Sequence, residues 1–144
     1  VSKFWDVLYA VKDRLSAVAG CTVVVRKKAL LLEGDALPLV IVSPGTESVD
    51  KEAMNGLIVY EYGVNVTLIQ AGNRVFETDL KDWLQLRETV RNTVYTSTLP
   101  GSPISLAGFA IVPGAVVEVV SGSASNYDIA GLQLTYLSPE TRAS

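Results

Sequence analysis

Residues 56–72 read GLIVYEYGVNVTLIQAG, and the reading of this stretch decides the fold. Its even positions are Ile58, Tyr60, Tyr62, Val64, Val66 and Leu68, and its odd positions are Leu57, Val59, Glu61, Gly63, Asn65, Thr67 and Ile69. This alternation is the period of a strand with one continuously apolar face. Ordinary strands run about 5–6 residues. At about 3.3 Å per residue, residues 57–69 would span roughly 40 Å. A single domain of this size has a radius of gyration of roughly 15 Å. A continuous strand would therefore cross the whole domain or project beyond it, and part of it would meet another subunit. Gly63 offers the other possibility, a bulge or bend dividing the run into two ordinary strands.

Helical period flanks this stretch on both sides. Over residues 2–19, Phe4, Leu8, Val11, Leu15 and Val18 fall on one helix face. Ser2 can cap that helix, Asp6 suits its first turn and Gly20 ends it. Over residues 78–95, Leu80, Trp83, Leu84, Leu86, Val90 and Val94 form an apolar face, with Thr78 as the expected cap. Between the helices lie CTVVVRKKALLL (21–32) and ALPLVIVS (36–43), both strand-like and joined by the turn Glu33-Gly34-Asp35. Residues 44–56 read as a polar loop closed by the hairpin pair Asn55-Gly56. Residues 97–108 read as a loop, and FAIVPGAVVEVVS (109–121) and YDIAGLQLTYLS (127–138) as two more strand candidates. The expected fold is α+β: one domain over residues 1–137, a mostly antiparallel sheet with two helices packed on it, and a flexible C-terminal tail at 138–144.

Composition narrows function. The chain is 49% hydrophobic and 19% charged, a globular balance, and its net charge of −3 gives no broad basic footprint for nucleic acid. Cys21 is the only cysteine, so no intrachain disulfide forms, which fits a reducing compartment. The N-terminal segment reads as an amphipathic helix rather than a signal peptide, and no run approaches the roughly 20 apolar residues of a membrane span. The sequon at Asn65 reads as a chance match in a chain without a secretion signal.

The absent chemistry is as informative. The chain has no histidine, which removes the commonest general base, the Ser-His-Asp and Cys-His arrangements and most zinc sites. No two glycines stand two apart, so there is no G-x-G fingerprint, and no phosphate-binding G-x-x-x-x-G-K or G-x-S-x-G elbow occurs. The expectation is a non-enzyme with no cofactor and no metal. Two charged groups remain. Glu47, Asp50 and Glu52 cluster in the 44–56 segment, where they read as a solvated acidic loop or a partner surface. Arg26, Lys27 and Lys28 form the one basic cluster, either a contact for an acidic partner or an exposed strand edge guarded against unwanted pairing. Tyr60 and Tyr62 offer large apolar bodies with polar tips, equally suited to an interface or to the core.

Four segments together resemble the tail terminator (tail completion or neck) proteins of long-tailed bacteriophages: WDVLYAVKDRLSAV, LPLVIVSPGTES, the long alternating strand, and DLKDWLQLRETVRNTV followed by AGLQLTYLSPE. The likeness covers about residues 2–95 and 127–139 and is one of pattern. Segment 97–126 is longer and richer in Gly, Pro and Ser than the pattern expects. The resemblance implies a structural virion protein, assembled in the host cytoplasm into a homo-hexameric ring. That ring would cap the tail tube and face the head-side connector or stopper, with DNA passing through unbound and no membrane involved. Glu47, Asp50, Glu52, Tyr60, Tyr62, Arg26, Lys27 and Lys28 are then the candidate subunit and partner surface. Other neck or tail tube proteins, a cellular module binding a peptide at a sheet edge, and a small carboxylate enzyme are the competing readings.

Overall fold

The structure, a computed structural model, describes residues 2–52, 56–73, 75–95, 104–120, 122–123 and 126–141. In chain order its elements are α1 (Lys3–Leu15), β1 (Thr22–Val25), β2 (Leu30–Leu31), β3 (Leu39–Glu52), β4 (Leu57–Ala71), α2 (Glu77–Val94), β5 (Ser105–Val112), β6 (Glu118–Val119) and β7 (Tyr127–Thr141). Five strands form one sheet in the order β1-β3-β4-β7-β5. All of its neighbours are antiparallel except β1, which runs parallel to β3 from Thr22 opposite Leu39 to Val25 opposite Val42. The fold is α+β, with two helices on a mostly antiparallel sheet.

The long alternating stretch is the middle strand, β4, and it is continuous. It pairs with β7 without a break from Leu57 opposite Thr141 to Ala71 opposite Tyr127. Its even face carries Tyr62, Val64, Val66 and Leu68 into the main core, against Val7, Leu8, Val11 and Leu15 of α1 and Trp83, Val90 and Val94 of α2. The odd face is capped at one end by a second, two-stranded parallel sheet of β2 and β6. Leu31 and Val117 close there over Leu39, Ile41 and Ile69. Part of the mixed odd face is thus buried within the chain itself.

Gly63 does not divide β4; the irregularity falls on the strands to either side. β3 slips register between Pro44 and Glu47, beside Gly63, and β5 slips between Leu106 and Gly108, beside Thr135, the β7 partner of Gly63. A Cβ on Gly63 would lie 2.9 Å from the Thr46 amide nitrogen, and one on Gly108 would lie 3.1 Å from Thr135 Cβ. Missing side chains let the bulged backbones close in on one rung, so the sheet is creased across that rung while its middle strand runs on.

Four expectations are corrected. Residues 44–52 are the second half of β3, not a loop, because they pair with Ile58–Val64. Ser138–Thr141 pair with Leu57–Tyr60 and belong to β7, so the strand runs past the expected start of a tail; residues 142–144 lie outside the described residues. Residues 105–108 open β5 rather than end a loop. α2 begins at Glu77, with the Asp79 carboxylate accepting the Phe76 N–H at 3.2 Å, so Thr78 lies inside the helix. By contrast Ser2 caps α1 as expected, its hydroxyl accepting the Trp5 N–H at 3.1 Å.

Candidate interaction surface

Beyond the crease the sheet narrows to a three-stranded flap made of Thr46–Glu52, Leu57–Tyr62 and Tyr136–Thr141. Its β3 member is polar on both sides, and Thr46–Glu52 are all exposed. β1 stops opposite Val42, and β5 begins opposite Leu137. Among the described residues, neither long edge of the flap has a strand beside it beyond those points. Unpaired edge amides and carbonyls are a template for further strands.

The flap gathers the acidic candidates. Glu47 lies opposite Tyr62 and Glu52 opposite Ile58, while Asp50 is the extra residue of a second β3 register shift between Val49 and Lys51. Glu140, opposite Ile58 from the other side, joins them. Sequence reading placed Glu140 in a tail and so missed it; the alternation stops at Leu137, and Ser138-Pro139-Glu140-Thr141 carries no strand signal of its own.

Tyr62 is not part of an open surface. It is 4% exposed. Its ring lies 4.8 Å from Phe4 and 6.1 Å from Tyr60. Its hydroxyl donates to Glu140 Oε2 at 2.7 Å. Burial, and then the bond to Glu140, raise the phenol well above its ordinary value, so Tyr62 stays a neutral donor. Tyr60 is half-buried in the same aromatic column. These two tyrosines anchor the base of the flap to α1.

The basic cluster divides. Arg26 spans the reversal after β1: Nη1 donates to Leu30 O and Asp35 Oδ2 at 2.6 Å each, and Nη2 donates to Asp35 Oδ1 at 2.7 Å. Asp35 also accepts the Leu32 N–H at 2.7 Å. The Arg26 hydrogen bonds hold the Asp35 carboxyl below its ordinary value. Arg26 is thus internal bracing, withdrawn from any partner contact. Lys27 and Lys28 stay exposed, Lys28 in a solvent-facing pair with Glu118 at 2.8 Å. They flank an open groove of about 420 Å³ on the odd face of the sheet. Its floor includes Ser43, Asn65 and Gln133, one rung across β3, β4 and β7, and its far wall is Val112 and Gly114–Val116.

Large apolar side chains are exposed elsewhere. Val75 and Phe76 at the start of α2 are followed at helical spacing by Leu80 and Leu84, and the rings of Trp5 and Tyr9 lie 4.7 Å apart, tilted by 45°, on the outer side of α1. Among the described residues no group of three or more Cys, Asp or Glu is placed to hold a metal ion, and no helix is long and apolar enough to cross a membrane. Comparison with protein-family models and with curated proteins finds no match to this chain.

Proposed function

We propose that this chain is a structural virion protein of the tail terminator type, a subunit of a ring that caps a phage tail tube and joins it to the head-side connector. The observation that carries the reading is the flap. It is an acidic, three-stranded extension whose long edges, among the described residues, have no further strand beside them, built past the part of the sheet that the helices cover. A protein working alone gains nothing from such an extension and risks edge pairing. A subunit of a closed assembly covers it with its neighbour, and a head-to-tail contact that closes on itself gives a ring. The acidic balance suits a channel through which DNA slides, because phosphate binding needs positive charge. The resemblance over residues 2–95 and 127–139 supplies the hexameric count and the virion location.

The test is electron microscopy of negatively stained protein, with sedimentation velocity at high concentration and addition to polymerising tail tubes. Six-fold rings that halt tube growth are the expected outcome. A monomer at every concentration, with tubes unaffected, overturns the reading. The open β3 edge also favours a second reading, a module that binds an extended peptide by strand addition. A monomer that binds extended peptides along β3 would establish that one instead.

A further inference from the structure

We infer that the flap of one copy docks in the sheet-face groove of the next, with the acidic strand β3 lying between Lys27–Lys28 and Val116. This rests on the ring reading and specifies its contact. Three properties of the two surfaces match. The first is charge: the flap carries Glu47, Asp50, Glu52, Glu61 and Glu140 against Lys51 alone, whereas the groove is flanked by Lys27 and Lys28 with Glu118 beside them. The second is polarity. A strand exposed on both sides presents hydroxyls and carboxylates, and the groove floor presents the hydroxyl and amide groups of Ser43, Asn65 and Gln133. The third is the single apolar residue in the exposed β3 run, Val49, which is 56% exposed, opposite a groove wall whose Val116 is 80% exposed.

The two surfaces are different patches of one chain. The flap is the free end of the sheet, and the groove lies on its odd face under the β5–β6 connection. The contact is therefore heterologous, the kind that propagates around a ring. At about 3.3 Å per residue, Thr46–Glu52 extend roughly 20 Å, enough to cross the groove of a neighbour. Burying carboxylates beside lysines gives orientation and register more than raw affinity, and Val49 against Val116 supplies the apolar centre.

Charge reversal tests the contact. The chain with Lys27→Glu and Lys28→Glu has an acidic groove and an acidic β3 run; the chain with Glu47→Lys and Asp50→Lys has three lysines against Glu52 in that run, so a basic β3 strand and a basic groove. Each alone sets like charge against like and is expected to associate at least tenfold more weakly than the native chain by sedimentation velocity. Mixed one to one, every flap again meets an opposite groove, so association returns, with the two chains alternating in native mass spectra. Native-like association of either variant alone, or a mixture that stays dissociated, overturns the inference while leaving the ring reading intact. A native chain that never associates overturns both. Should a charge variant fail to fold, as read by circular dichroism, Val49→Ser and Val116→Ser carry the same test: each weakens association if the contact is right, and unchanged association refutes it.

Discussion

Gly63 has no room for a side chain, because the Thr46 backbone fills the place a Cβ would occupy. Gly63→Ala must push the β3 bulge away, and overpacking of this kind costs about 1–3 kcal/mol. The expected result is a lower denaturant midpoint with an unchanged slope. Asp35 makes a second prediction. Its carboxyl is held below the ordinary value by Arg26, so its contribution is present above the unfolded value near about 4 and is lost as pH falls through the folded one. Asp35→Asn should destabilise the chain at neutral pH by about 1–3 kcal/mol, with the deficit shrinking in acid, checked by urea melts across pH. Tyr136 gives the opposite case. It is 1% exposed. Burial pushes its phenol up to about 12. The unfolded phenol ionises from about pH 10, so stability falls as pH rises from there to about 12, by about 1.4 kcal/mol per pH unit. Tyr136→Phe should remove its own share of that fall, leaving the share of Tyr62, whose phenol is also raised, while costing little at neutral pH.

At the scale of elements, α2 shows how far periodicity reaches. Its pattern of apolar residues identified the helix, but the apolar arc is wider than the buried one. Trp83, Val90 and Val94 enter the core, whereas Leu80 and Leu84 stay 56% and 48% exposed. Trp83→Ala should therefore cost about 3–5 kcal/mol, while Leu80→Ser and Leu84→Ser should stay within about 0.5 kcal/mol, all read from denaturant melts. The even face of β4 was legible because it is apolar at every second position; the burial of Val59, Thr67 and Ile69 on its mixed odd face was not. The second half of β3 was not. Thr46–Glu52 is polar on both faces, so it has no period, and Pro44-Gly45 before it imitates a turn while forming a bulge. The β2 and β6 residues were read as the far ends of two longer strands, 21–32 and 109–121; the structure breaks both runs and pairs those ends in a sheet of their own, a pairing that two-residue strands do not announce. The Arg26–Asp35 bracing was half visible: the turn at Glu33-Gly34-Asp35 was read, but the arginine it faces is set by the chain reversal.

For the molecule as a whole, the acidic candidates Glu47, Asp50 and Glu52 share one flap, which the structure extends with Glu140. The basic ones split into half-buried bracing at Arg26 and an exposed rim at Lys27 and Lys28, the latter paired with Glu118. With a net charge of −3, the native chain should leave duplex DNA unretarded in a gel-shift assay at physiological ionic strength. Retention that vanishes at high salt would point to a basic surface able to gather phosphates.

The pairing of β4 with β7 also governs how the chain is made. Residues 57–71 emerge from the ribosome well before their partners at 127–141, so the middle of the sheet spends that interval as an edge. During synthesis the β3–β4 hairpin carries Val64, Val66 and Leu68 with an unsatisfied ladder beside them, the kind of segment that other nascent chains can capture. Closure waits on a contact of long sequence separation, which slows folding. A chain ending before Tyr127 should be found in the insoluble fraction even though both helices and the hairpin are complete.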